Sequence, residues 1–208
     1  MEEASIVEFK RVLKDHKIDL FFDIGANVGI YSWIARSEGV LEIFLVEPDS
    51  TNQRLLSNTI RRNAIDNCFL LPFAMSKDLG IAQFLVDNAS GTTGSLVDDS
   101  ENESSLHASY GMNRFRSVPT FPLDIFCDFA RGKRTMLKID VEGAEDLVLE
   151  GANRFLTEVK PFILIECFDR ERLASVERLG YSIVDLAENY NYLLKPLEEA
   201  RSQTNYAS

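Results

Sequence analysis

The sequence predicts an α/β fold, a mostly parallel sheet with helices on both faces and an antiparallel hairpin at its carboxyl end. Three observations carry that expectation. Short, nearly wholly apolar runs alternate with segments of helical period along most of the chain. A glycine-rich turn joins the first of those runs directly to a helical pattern. Toward the carboxyl end, GYSIVDL and NYLLKP flank the turn-forming stretch AENY, the pattern of two paired antiparallel strands.

The elements follow in order. Ile6, Phe9 and Leu13 recur about one helical turn apart, so residues 2–14 read as a leading amphipathic helix. The buried strands are expected at residues 20–24, 41–47, 68–73, 135–140 and 162–167, each short and apolar as strands covered on both faces should be. Residues 28–37 and 49–63 are helical by spacing, the second capped by Asp49 or Ser50. Pro122 before LDIFCDFAR and Gly132 after it bracket another helix, and residues 142–156 predict a further one. Regular alternation fails between Ala82 and Ser117, a stretch rich in Ser, Asn, Gly and acids. Its edges, IAQFLV and RFRSVPTF, alternate as strands do, so a loop or hairpin excursion is expected there.

A chain of 208 residues is most simply one domain, spanning residues 1–208, and its 45% hydrophobic and 26% charged content is that of an ordinary globular protein. With 33 acidic against 22 basic residues the net charge is −11, which repels phosphate backbones and anionic membranes. Nucleic acid and membrane are therefore not expected partners. Cys68, Cys127 and Cys167 show no paired spacing, so reduced thiols in a cytoplasmic protein are expected rather than disulfides or a zinc site. No run of about 20 apolar residues and no apolar run of signal length near residue 1 appears, so neither membrane spanning nor secretion is expected.

The candidate ligand loop is Asp23-Ile-Gly25-Ala-Asn27-Val-Gly29, at the end of the first strand. Glycines there let the backbone turn sharply and approach a ligand. A dinucleotide site normally shows GxGxxG facing a pyrophosphate, whereas this loop opens on an acid and spaces its glycines GxxxG. An acid beside the loop favours a cationic ligand, and S-adenosylmethionine, with an ammonium and a sulfonium, has the right sign. Glu47, in VEPD at the end of the second strand, is placed to accept hydrogen bonds from ribose hydroxyls. Phe73-Ala74-Met75-Ser76, after the third strand, is expected to border the adenine, with Ala74 on the pocket wall.

A second constellation is Leu137-Lys138-Ile139-Asp140-Val141-Glu142-Gly143-Ala144-Glu145. Lys138 and Asp140 share a face because side chains alternate along a strand, and the carboxyl ends of parallel strands are where ligands bind. Asp140 is the candidate to orient or deprotonate an acceptor hydroxyl, aided by Glu142 or by His107 of the long loop. Glu145 is expected to cap its helix, and Glu166 to lie beside Asp140 if their strands are neighbours. Crowded acids can also gather a divalent cation, but a metal-free site is favoured. His16 is expected at the surface and Trp33 in the core.

In order, FFDIGANVGIYS, VEPD, FAMS, VPTFPLDIF, LKIDVEGAEDLVLEGA and PFILIEC resemble the FkbM-family methyltransferases, over residues 20–167. The resemblance implies a Rossmann-like class I methyltransferase fold with a seven-stranded sheet, one edge strand of which runs backwards. It implies S-adenosyl-L-methionine as donor and O-methylation of a hydroxyl on a sugar, polyketide or other small metabolite. Asp23, Gly25, Asn27, Gly29 and Glu47 would then bind the cofactor, and Asp140 and Glu142 would lie where methyl transfer occurs. Two departures stand out: Ala74-Met75-Ser76 replaces a Val-Ala-Leu-like triplet, and residues 91–112 match no motif. The competing readings are an NAD-dependent oxidoreductase, from the shared strand, glycine turn and acid, and a methyltransferase-like binding module without activity.

Overall fold

The computed structural model describes residues 3–86, 94–97, 115–187 and 190–197. In chain order its strands are β1 (Leu20–Ile24), β2 (Glu42–Val46), β3 (Cys68–Leu71), β4 (Ala74–Met75), β5 (Gly80–Val86) and β6 (Gly94–Val97). They continue as β7 (Phe115–Phe121), β8 (Thr135–Ile139), β9 (Phe162–Glu166), β10 (Tyr181–Asp185) and β11 (Asn191–Pro196). Among the described residues, seven of them form one sheet in the order β10-β11-β9-β8-β1-β2-β3. The pairs β1–β2, β1–β8, β2–β3 and β8–β9 are parallel. β11 runs antiparallel to both β9 and β10. The terminal hairpin is therefore present, but its reversed strand is not the edge: β11 inserts between β9 and β10, and β10 becomes the rim.

Alternation along the strands explains the two-sided core. Leu20, Phe22 and Ile24 point to one face with Leu137, Ile139, Ile163 and Ile165, under Leu123, Val148, Leu149 and Phe155. Phe21, Ile43, Leu45, Met136 and Leu164 point to the other, under Phe9, Val12, Leu13, Tyr31, Ala35 and Leu56. Each such large side chain taken fully out of water stabilises the fold by about 1.5–3 kcal/mol before entropy is charged against it. The covering helices on the second face are α1 (Glu3–Asp15), α2 (Ile30–Ser37) and α3 (Ser50–Arg62). On the first face they are α4 (Cys127–Ala130), α5 (Glu145–Glu150) and α6 (Ala174–Arg178). Asp49 caps α3, its Oδ1 accepting from the backbone N–H of Thr51 and Asn52 at 2.7 and 3.1 Å.

One expected helix is broken. The segment 142–156 yields α5 and, after a break at Gly151 and Ala152, a short helical stretch from Asn153; α5 starts late because Glu142 (φ 50°) and Gly143 (φ 96°) are left-handed. At its other end Gly151 lies against the chain after β4, where an added Cβ would stand 2.1 Å from the Ser76 carbonyl oxygen. The stretch from Asn153 widens into a π-helix at Phe155–Val159, with Asp124 accepting from the backbone N–H groups of Arg154 and Phe155 at 3.1 and 2.8 Å.

The excursion expected at residues 82–117 contributes to a second sheet, in the order β4-β7-β5-β6. Its two expected edges do pair, antiparallel, as β5 and β7. No helix of the described residues is long and apolar enough to cross a membrane.

Candidate functional site

Beyond β1 the chain turns through Gly25, Ala26, Asn27, Val28 and Gly29 into α2. Gly25 (φ 79°), Asn27 (φ 52°) and Gly29 (φ 82°) are all left-handed, a conformation open to glycine and tolerated by asparagine. The demand for glycine comes from the chain itself. A Cβ at Gly25 would lie 1.9 Å from the Asp140 carbonyl oxygen, and one at Gly29 would lie 2.7 Å from the Trp33 indole. Trp33, expected in the core, is half-buried and clasps this turn, its Nε1–H donating to the Val28 carbonyl at 2.9 Å. The small residues thus shape the loop by letting it close on β8 and α2.

Asp23 is buried, and its Oδ2 accepts from the Ser32 backbone N–H at 3.0 Å and the Ser32 hydroxyl at 2.6 Å. Burial pushes its carboxyl up to about 6 against the lowering effect of the Ser32 hydrogen bonds and the Lys138 charge. Asp23 braces the strand against the first turn of α2 and so sets the path of the loop between them.

Glu47 follows β2 and is only 4% exposed. Its Oε2 accepts from the Asn27 backbone N–H and its Oε1 from the Asp49 backbone N–H, both at 2.7 Å. Burial pushes its carboxyl up to about 7. An ionised carboxylate has about four acceptor positions. These two bonds leave one on each oxygen, the number that a vicinal diol such as ribose uses. A pyrophosphate at this loop would lie beside the Glu47 carboxylate, which already accepts from the Asn27 N–H. The chemistry of the donor set fits S-adenosylmethionine, with Glu47 for the ribose and acids for its cationic end.

The rim continues on β8. Asp140 is half-buried; its backbone N–H donates to the Ile24 carbonyl at 3.0 Å, and its Oδ2 lies 3.3 Å from the Lys138 ammonium. Glu142 is exposed on the left-handed turn. Partial desolvation, then the charges of Asp140 and Glu145, hold its carboxyl above the usual value. The Gly143 peptide is fixed from both sides. Its N–H donates to Glu145 Oε1 at 2.7 Å, and its carbonyl accepts from Arg172 Nη1 at 3.0 Å. Arg172 also pairs with Glu145 Oε2 at 3.6 Å and Asp146 Oδ1 at 3.7 Å. Glu145, expected as a helix cap, is buried and binds the N–H of Gly143, just ahead of the helix's first residues.

The strand register brings Asp140 and Glu166 together as anticipated: Ile139 pairs with Ile165, one residue before each. Ala74 lies in β4 in register with Thr120 and packs against Phe84 and Val118 of the small sheet. His16 is exposed, its ring 4.1 Å from that of Phe162. His107 lies outside the described residues. No group of three or more His, Cys, Asp or Glu side chains among the described residues is arranged to hold a metal ion.

Sequence reasoning missed two contributors. Ser32, the partner of Asp23, carries no signal of its own within a helical segment, and Arg172 lies far along the chain from the turn it holds. Lys138 was read as part of the rim, yet it is buried, and a lysine inside the strand TMLKI was the available signal.

The family profile of the methyltransferase FkbM domain matches residues 23–194. No curated protein matches the sequence. Among solved structures, the methyltransferase FkbM of Methylobacillus flagellatus KT superposes with a TM-score of 0.57 at 17% identity, over 86% of this chain and 43% of that one. The chain thus spans less than half the length of that relative. The Escherichia coli protein yhhF gives 0.52 at 13% identity, over 96% and 89% of the two chains. The ribosomal protein L11 methylase of Lactobacillus delbrueckii subsp. bulgaricus gives 0.50 at 12%, over 95% and 78%. These structures share the fold of the seven-stranded sheet and its covering helices.

Proposed function

The chain belongs to the methyltransferase FkbM domain family, and from that premise we propose that it transfers a methyl group from S-adenosylmethionine to a hydroxyl oxygen of a sugar, polyketide or other small metabolite. The observation that supports this most directly is the Glu47 carboxylate, buried and held by the N–H groups of Asn27 and Asp49, with one acceptor position left on each oxygen. A net charge of −11 favours a neutral or cationic acceptor over nucleic acid or an anionic membrane.

When bound, the donor supplies a methyl carbon on a positively charged sulfur, an electrophile that needs alignment more than activation. Glu47 holds the ribose. Asp23, through Ser32, fixes the loop along which the donor lies. Glu142, exposed beside Asp140, takes the proton from the acceptor oxygen; partial desolvation and the charges of Asp140 and Glu145 raise its carboxyl and make it a stronger base than a free glutamate. The Gly143 turn, held by Glu145 and Arg172, aims Glu142 and keeps its strained backbone in place.

The test is methyl transfer from donor labelled in the methyl group to a panel of methyl glycosides and hydroxylated polyketides. Label appearing in an ether-linked product, and lost in Glu47→Ala, is the expected result. Transfer to nitrogen or sulfur acceptors alone overturns the hydroxyl assignment.

A further inference from the structure

Lys138 is 1% exposed, an ammonium enclosed within a strand whose neighbours Met136, Leu137 and Ile139 are apolar. In register it stands beside Asp23 on β1. Its nitrogen lies 5.2 Å from the centre of the Tyr31 ring and 3.3 Å from Asp140 Oδ2. That second contact is an ion pair by distance without the directionality of a hydrogen bond, and the ammonium has no hydrogen-bond partner among the described residues. Burying a charge is costly even where carboxylates such as Asp23 and Asp140 partly compensate it, and an apolar residue of similar length would fill this place without that cost. The charge therefore needs a use.

Lys138 has no direct path to solvent. What it touches does: Asp140 is half-buried and stands at the carboxyl end of β8, against the backbone of the donor loop through Ile24 and Gly25. A charge fixed beneath a carboxylate restrains its rotamer by engaging one oxygen and leaves the other for a ligand. The ligand that fits an anion at this place is cationic, and the donor's amino-acid end carries an ammonium.

We propose that Lys138 is a positioning residue for the donor's amino-acid end, its buried ammonium holding one oxygen of Asp140 so that the other receives the donor's α-ammonium. The inference rests on the donor assignment made above. It moves Asp140 from the acceptor to the donor and leaves the acceptor proton to Glu142.

The experiment uses two probes that share the adenosine thioether and differ in the amino-acid arm: S-adenosylhomocysteine, which has it, and 5′-methylthioadenosine, which does not. Calorimetric titration of the wild type and Lys138→Met with each probe separates recognition of the arm from general integrity of the site. The expected result is affinity for S-adenosylhomocysteine weakened about tenfold or more, with that for methylthioadenosine changed by less than about twofold. Equal loss for both probes marks Lys138 as merely structural, and no loss for either removes it from recognition; both overturn the proposal. If Lys138→Met does not fold, Asp140→Asn is read the same way: selective loss for the probe with the arm supports the proposal, and equal or no loss overturns it. A wild type that binds neither probe refutes the donor assignment itself, an outcome distinct from a wild type that binds both and a variant that loses nothing.

Discussion

The ideal Cβ position of Gly25 lies 1.9 Å from the carbonyl oxygen of Asp140, while the Asp140 N–H donates to the Ile24 carbonyl at 3.0 Å. The loop after β1 and the strand end after β8 are thus one welded unit, and the two halves of the site share a backbone contact. Gly25→Ala would force both a left-handed alanine and a clash with rigid backbone. The expected cost is about 2–5 kcal/mol of folding stability, read from denaturant unfolding. A near-neutral change would mean that β1 and β8 separate easily at this point.

Donor affinity should depend on pH through Glu47. Its carboxyl is pushed up to about 7, and the ionised form is the better acceptor for two ribose hydroxyls. Affinity for S-adenosylhomocysteine is expected to rise as pH increases through about 7 and then level off. Glu47→Ala should weaken binding by at least about tenfold and remove that rise. A wild-type affinity that is flat from pH 6 to about 8 contradicts the ribose role.

Stability should move the other way. Asp23, raised from 3.8 to about 6, and Glu47, raised from 4.5 to about 7, hold their protons more tightly folded than unfolded. Their contribution is whole below about pH 4, declines as pH rises toward about 7, and is constant beyond. Asp23→Asn keeps an oxygen for Ser32 but cannot ionise. Its unfolding midpoint is expected to fall less than that of the wild type between about pH 4 and about pH 7, and parallel curves would refute the assignment.

Arg172 reaches from the chain after β9 to the Gly143 carbonyl at 3.0 Å. Its side chain is 39% exposed, so solvent screens its ion pairs, and Arg172→Ala should cost about 1 kcal/mol of stability or less. The larger effect is expected in catalysis, because the turn carrying Glu142 loses one of its two holds. Methyl transfer should slow by about tenfold or more while S-adenosylhomocysteine binds as before. Equal weakening of binding and turnover would place Arg172 in general packing.

The sequence and the structure agree where a signal is local and repetitive. Four of the five parallel strands were readable because burial on both faces leaves mostly apolar side chains in runs such as LFF and FILI; β3, at the edge of the sheet, is half-buried with Phe69 exposed, and its apolar run CFLL was readable all the same. The glycine loop and Glu47 were readable because a sharp turn and a strand-end acid are encoded by adjacent residues. What escaped depends on contacts between distant segments. The helix expected from Glu142 starts late because Glu142 and Gly143 adopt left-handed backbone under the hold of Arg172, and it ends where Gly151 meets Ser76. The hairpin was visible, but insertion of β11 between β9 and β10 is a choice of edge that no local pattern encodes. Asp23 was identified as a ligand-side acid, yet its hydrogen bonds go to Ser32 in the first turn of α2.

The most direct test of the central claim is calorimetric titration of the wild-type protein with S-adenosylmethionine and, separately, with NAD. Saturable one-to-one binding of S-adenosylmethionine, lost in Glu47→Ala, with no heat from NAD, is the predicted result. Saturable binding of NAD with none of S-adenosylmethionine would contradict it.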